Sequence, residues 1–197
     1  MSDFDETAWW SDCANTWWEE QKQIAVARRL GLETVWGGAH PPTFPLGGRS
    51  VIDLGGGPVS LLLKCVDRGQ CAVVDPGDFP PWVAARYAHC GIGFWHGPAE
   101  QIDDEELRFD EAWIYNVLQH VIDPETVVRV ARSHAATVRV FEWVNLPPYP
   151  GHPHTLTPEA LDEWLGAPGF VTEMNESGCV GRAYYGVFPG CTLDCDS

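Results

Sequence analysis

From Ser50 onward, short apolar runs alternate with longer stretches in which apolar positions recur three or four residues apart. That alternation predicts buried strands separated by amphipathic helices, the pattern of a parallel sheet covered by helices. Strands are expected at 50–54, 71–74, 92–95, 111–116 and 138–144, each followed by turn residues. Helices are expected to begin at Leu61, to span 82–89, and to run from Pro124 and from Pro158. Asp123 and Thr157 stand where a side-chain oxygen can cap the last two, and proline suits a first helical position because its missing N–H is not needed there. The tail reads as strands at 170–174 and 182–188 joined by 175–181, and with no crossover helix between them they pair antiparallel.

The chain before Gly48 follows a different pattern. Residues 16–31 read as a helix, with Thr16 and Glu19 as a capping box, Trp17, Ile24 and Ala27 on the apolar face, and Gly31 closing the C-terminus. A connector from Gly37 to Gly48 carries Pro41, Pro42 and Pro45 and reads as a linker or a lid. The expected division is therefore an N-terminal Trp-rich helical cover with its Pro/Gly linker over 1–48 and the main domain over 49–197. The pairs Trp9-Trp10 and Trp17-Trp18 either fill the core, the favoured reading, or line a ligand pocket.

Length and charge narrow the picture. A chain of 197 residues suits one enzyme-sized domain, and 28 acidic against 12 basic residues give a formal charge of -16. Such a surface repels phosphate backbones and anionic headgroups, which disfavours direct nucleic-acid or membrane binding and points to a small-molecule partner. No apolar run reaches the roughly 20 residues that span a bilayer. Seven cysteines, an odd set without C-x-x-C, read as reduced thiols of a cytoplasmic protein, and the pair Cys191 and Cys195 as part of a solvent-exposed end. Nothing in the composition indicates an oligomeric state.

In an open parallel sheet, ligands bind beyond the carboxyl ends of the strands. Here those ends carry Asp53 with Gly55, Gly56 and Gly57, then Asp75-Pro76, Ala99-Glu100, Asn116-Val117, and Glu142. Consecutive glycines admit positive φ and remove the Cβ atoms that keep a ligand from the backbone. Asp75, ending the next strand, can accept hydrogen bonds from the vicinal hydroxyls of a ribose. A phosphate-binding P-loop is excluded, because no Gly-Lys-Ser/Thr follows. A G-x-G-x-x-G fingerprint begun at Gly55 meets Ser60 in place of its last glycine, and a pyrophosphate would meet Asp53. A nucleoside bearing an ammonium and a cationic sulfur fits this acidic mouth better than a polyphosphate.

Four strings in order, Val51-Ile52-Asp53-Leu54-Gly55-Gly56-Gly57-Pro58, Val73-Val74-Asp75-Pro76, Gly97-Pro98-Ala99-Glu100 and Phe109-Asp110 running to Asn116 through Pro124, resemble the class I S-adenosylmethionine-dependent methyltransferases. The resemblance covers about Ser50 to the C-terminus. It implies an α/β fold with a Rossmann-like, seven-stranded, mostly parallel sheet, helices on both faces and an antiparallel last strand. It implies S-adenosyl-L-methionine as cofactor, with Asp53 and the three glycines at the methionine part, Asp75 and Pro76 at the ribose, Ala99 and Glu100 at the adenine, and Asn116 and Val117 near the reacting methyl. Val59 and Pro98 depart from the family pattern, and the Asn-Pro-Pro-aromatic string of nucleobase amino-methylases is absent.

In such a fold His120, His152 and His154 face the methyl, and each is a candidate general base for a hydroxyl acceptor. His152-x-His154 beside Glu142 could instead hold a divalent cation, but spacing marks no further ligand and no metal is assigned. The expected activity is methyl transfer to a small polar molecule, most simply an oxygen of a sugar or comparable metabolite. A non-catalytic cofactor-binding subunit and a nicotinamide-dependent oxidoreductase are the alternatives.

Overall fold

The computed structural model describes residues 10, 13–38, 41–104, 106–176 and 179–191. Helix α1 (Cys13–Arg29) leads, followed by β1 (Phe44–Pro45) and β2 (Val51–Leu54). Two 3-10 turns, Gly57–Val59 and Leu61–Lys64, lead to β3 (Cys65–Val66) and β4 (Cys71–Asp75). Then come α2 (Pro81–His89), β5 (Ile92–His96), a 3-10 turn at Ala99–Gln101, β6 (Phe109–Tyr115), α3 (Pro124–His134), β7 (Ala135–Trp143), α4 (Pro158–Leu165), β8 (Phe170–Glu176) and β9 (Cys179–Pro189).

The main sheet has seven strands in the order β5-β4-β2-β6-β7-β9-β8. All neighbours pair in parallel except β9, which runs antiparallel to both β7 and β8. Side chains alternate across it: Val51, Val73, Trp113 and Phe141 join one apolar cluster, whereas Ile52, Val74, Ile114 and Val140 join the other. Helices α1 and α2 cover the first face, through Val26, Leu30, Val83 and Tyr87. Helices α3 and α4 cover the second, through Val127, Val128, Ala131, Leu161 and Leu165. Chain direction away from the sheet centre reverses between β2 and β6, which places the ligand crevice beyond their carboxyl ends.

The helix expected from Leu61 does not form. Ser60 leaves the helical region, and its Oγ accepts from the Leu62 N–H at 3.1 Å, so a single short turn starts there. Cys65 then turns extended, its N–H returning to the Leu62 carbonyl, and β3 pairs with β1. The Gly37–Gly48 connector is correspondingly no free linker or lid along its described part. Phe44 and Leu46 are fully buried in the cluster that also holds Val26 and Val51, so segments on both sides of residue 48 share one core.

Helix α1 also differs from expectation. It starts at Cys13, which places Thr16 inside the helix and not at its cap, and the Thr16 side chain lies outside the described residues. Trp17 and Trp18 are exposed, and the buried stripe runs through Gln23, Val26, Ala27 and Leu30. A buried glutamine is tolerable because its amide is bonded at both ends: Nε2 donates to the Val59 carbonyl and Oε1 accepts from Lys64 Nζ at 2.6 Å. The expected core role of the tryptophan pairs fails for Trp17 and Trp18, Trp10 lines a cavity, and Trp9 and Cys195 lie outside the described residues. Among the described residues no helix is long and apolar enough to cross a membrane.

Candidate functional site

The glycine loop is held from three sides. Gly55 and Gly57 take φ values of 76° and 57°, where L side chains strain. A Cβ at Gly55 would lie 2.0 Å from Val117 Cγ2, and one at Gly56 would lie 2.5 Å from Asp53 Oδ2. Close approach to these two glycines therefore comes from the protein itself. A Cβ at Gly57 would meet the Trp10 ring at 3.5 Å, an ordinary contact, and this buried glycine lines the cavity beside the half-buried Gly55 and Gly56. Tyr87 reaches up from α2 to fix the turn, donating to the Gly57 carbonyl at 2.7 Å and accepting from the Ser60 N–H at 2.9 Å.

Beneath the loop, Asp53 is almost fully buried and accepts from the Ser60 hydroxyl. Burial pushes its carboxyl up to about 7, with the Ser60 hydrogen bond opposing and the charge of Asp75 adding. Asp53 is thus a floor under the loop, less a charged rim than its place in the sequence suggests. Asp75 stands at the end of β4 with each oxygen bonded to a backbone amide: Gly57 N–H donates to Oδ2 at 2.9 Å and Gly77 N–H to Oδ1 at 2.8 Å. A carboxylate offers about four acceptor sites, so these amides take one on each oxygen while fixing its orientation. Pro76, Ala99 and Glu100 line the same side of the cavity. Glu100 Oε1 accepts from the Ile122 and Asp123 amides at 2.9 and 3.2 Å, tying the 3-10 turn to the segment after β6.

That segment is shaped by a residue whose role the sequence did not reveal. Glu142 is fully buried in β7, and its Oε1 accepts from the Val117 and Leu118 amides at 2.8 and 2.9 Å, while Oε2 has no partner. Asn116 enters this turn at φ 52° with its N–H on the Phe141 carbonyl, and its buried Oδ1 has no partner. The sequence marks Glu142 as a strand-end acid beside His152 and His154, but nothing in it signals the hold on the Val117 and Leu118 amides.

Burial pushes the Glu142 carboxyl up to about 8, against the two amides. A carboxyl raised in the folded state contributes stability that is complete below its unfolded value of 4.5 and is lost as pH rises through about 8. Unfolding free energy should therefore decline between about pH 5 and 8, by at most roughly 1.4 kcal/mol per pH unit from this group. Glu142→Gln, which keeps an acceptor for both amides, should flatten that decline in urea titrations at pH 5, 6.5 and 8.

Two histidines converge from different loops. His120 follows β6 and His152 follows β7, and their ring centroids are 4.1 Å apart. His152 also stacks on Tyr149, at 4.1 Å and 26°, across a tight Pro150-Gly151 turn closed by two backbone hydrogen bonds of 2.8 and 3.1 Å. Burial, and then the charge of His120, pull the His152 imidazole down to about 4, so it is neutral at neutral pH. His154 does not join them: its ring Nε2 is bonded to the Val121 carbonyl at 2.8 Å and it does not line the cavity. Its part is to hold the two loops together, which corrects the expectation that it faces the reaction. Among the described residues no group of three His, Cys, Asp or Glu side chains is placed to hold a metal ion.

All these elements enclose a cavity of about 550 Å³, lined by the glycine loop, Asp75, Ala99, Glu100, Asn116, Val117, His120 and His152, and roofed by Trp10, Glu19, Lys22 and Gln23. Its volume falls in the range of about 300–1,000 Å³ usual for small-molecule sites.

No protein-family model matches the chain, and no curated protein sequence matches it. Solved structures do. A Haloferax volcanii complex between the Trm112 methyltransferase activator and a methyltransferase contains a chain that matches with a TM-score of 0.63 and 14% identity, over 96% of this chain and 99% of that one. The 1,6-didemethyltoxoflavin-N1-methyltransferase of Burkholderia thailandensis, solved with its acceptor and S-adenosylhomocysteine, matches with 0.60 and 16%, over 93% and 81%. The N-methyltransferase NodS of Bradyrhizobium japonicum, with S-adenosylhomocysteine, matches with 0.58 and 11%, over 94% and 93%. At these identities the likeness is one of fold: the chain has the Rossmann-like fold of the class I S-adenosylmethionine-dependent methyltransferases.

Proposed function

We propose that this chain binds S-adenosylmethionine at the glycine loop and transfers its methyl group to an oxygen of a small polar metabolite in the cytoplasm. The observation that carries the reading is the loop itself. Gly57 is pinned to Asp75 at the point where the sheet reverses direction, and Gly55, Gly56 and Gly57 line one cavity together with His120 and His152.

The lining suits that cofactor. Among the described lining residues Lys22 is the one formal cation, and it is ion-paired to Glu19, whereas Asp75 and Glu100 add acceptors. Buried Tyr115 Oη and Asn116 Oδ1 have no partner in the protein. Such a wall favours an ammonium and a sulfonium and disfavours the pyrophosphate of a nicotinamide dinucleotide. When bound, S-adenosylmethionine supplies an electrophilic methyl on a positively charged sulfur. Asp75 holds the ribose diol, Ala99 and Glu100 flank the adenine, and Asn116 with Val117 position the reacting end. Neutral His152 orients the acceptor hydroxyl, and alignment supplies most of the rate. Free Cys65, Cys71, Cys90 and Cys179 fit a reducing compartment.

Calorimetry with S-adenosylmethionine, S-adenosylhomocysteine and NAD tests the reading. Tight binding of the first two alone is expected, and equal affinity for NAD would overturn it. Binding of both without turnover on any acceptor would favour a cofactor-binding subunit. His152→Ala should lower kcat about tenfold, the loss of one orienting hydrogen bond worth roughly 1.4 kcal/mol, and leave S-adenosylhomocysteine affinity within twofold. His154→Ala, which releases Val121, should lower thermal stability as well as turnover.

A further inference from the structure

We propose that the acceptor is a planar molecule carrying an acidic hydroxyl, a phenol or an enol, in preference to a sugar. The inference rests on the methyl-transfer reading above and concerns the same cavity. Its walls carry the rings of Trp10, Tyr115, Trp143, Tyr149, His120 and His152. Tyr149 is 48% exposed and stacks on His152 across the closed Pro150-Gly151 turn, which fixes its ring as a flat, partly exposed surface in the cavity lining. Flat rings and such a surface favour a planar guest.

Proton transfer points the same way. An imidazolium at His152 would sit 4.1 Å from the His120 ring, and the other group facing it is the neutral Tyr149 phenol. The nearby acid in sequence, Glu142, has Oε1 engaged by the Val117 and Leu118 amides. His152 is held well below the ordinary histidine range, and its buried Nδ1 has no partner. It offers a hydrogen bond but little base strength. A saturated alcohol keeps its proton far above neutral pH, and His152 is too weak a base to take it. A phenol titrates near the tyrosine value of about 10, or lower with electron-withdrawing groups, and reaches the oxyanion without one. Its proton passes to water. The oxyanion's lone pair then bonds the methyl carbon as the carbon–sulfur bond breaks, and that bond's electron pair returns to sulfur, leaving a methyl ether and a neutral thioether.

The test uses the full chain saturated with S-adenosylhomocysteine and measures binding of phenol, 4-nitrophenol, cyclohexanol and methyl glucopyranoside by saturation-transfer NMR and calorimetry. Both phenols should bind at least tenfold more tightly than cyclohexanol, which matches phenol in size but is neither flat nor acidic. Tyr149→Ala should weaken 4-nitrophenol tenfold and leave S-adenosylhomocysteine within twofold, and Tyr149→Phe should restore it. Methylation should follow the same order. Preference for cyclohexanol or the glucoside, absence of phenol binding, or an unchanged Tyr149→Ala would overturn the inference while the methyl-transfer reading stands. Failure to bind S-adenosylhomocysteine at all would overturn both.

Discussion

Asp75→Ala should weaken S-adenosylmethionine binding by roughly thirty- to a thousandfold. The substitution removes the acceptor of the ribose diol, and hydrogen bonds to a charged group contribute about 1.5–3 kcal/mol each. It also frees the Gly57 and Gly77 amides, which Asp75 holds at 2.9 and 2.8 Å, so the loop loses its fixed position. Together about 2–4 kcal/mol of binding free energy is at stake, at 1.4 kcal/mol per tenfold. Calorimetry gives the affinity and a thermal melt gives the cost to the fold. Asp75→Asn, which keeps one acceptor oxygen, should fall between the two. A lowered melting temperature with unchanged affinity would make Asp75 a loop support alone and move the ribose elsewhere.

Arg139→Met should lower the free energy of unfolding by about 3–5 kcal/mol, the usual cost of stranding a buried charge. Glu111 is nearly fully buried in β6, and Arg139 grips both of its oxygens, from Nε and Nη2, at 2.8 Å each. Trp113 Nε1 donates to the same carboxylate, and Arg49 reaches it from the edge. Burial opposes the charge, but the hydrogen bonds from Arg139 and Trp113 and the charges of Arg139 and Arg49 outweigh it and hold the carboxyl below its ordinary range. A carboxyl lowered in this way contributes stability above its unfolded value that disappears as pH falls. The deficit of Arg139→Met should accordingly shrink between pH 7 and pH 4, where Glu111 can be protonated. Urea unfolding at both pH values measures it. The double variant Arg139→Met with Glu111→Gln should recover part of the loss.

The strands and α3 were legible because their signals are local. Alternating burial, a proline after a capping Asp123 and the apolar runs of β4, β6 and β7 need no knowledge of the rest of the chain. What failed depended on partners far away. The run from Leu61 reads as a helix until Cys65 turns extended and pairs with Phe44, a partner 21 positions earlier. Gln23 reads as a surface residue until Val59 and Lys64 satisfy its amide. In the site, the residue types at the strand ends were readable, since the fold brings every strand end to one rim. Their tasks were not. Gly55 is required by Val117 and Gly56 by Asp53, contacts that no spacing announces. His154 and His152 are one residue apart in a proline-rich loop whose path decides which of them meets His120.

Arg139 also reaches back to the Leu30 carbonyl, 109 positions earlier in the chain. During synthesis α1 leaves the ribosome long before the strand that anchors it exists, and β7 then waits for β9 before its outer edge is closed. Such a high contact order makes for slow folding, with apolar Val26, Ala27 and Leu30 exposed to neighbours in the meantime. Production of this protein should be governed by that delay: cool expression and dilute refolding should raise the soluble yield more than any change to its surface charge.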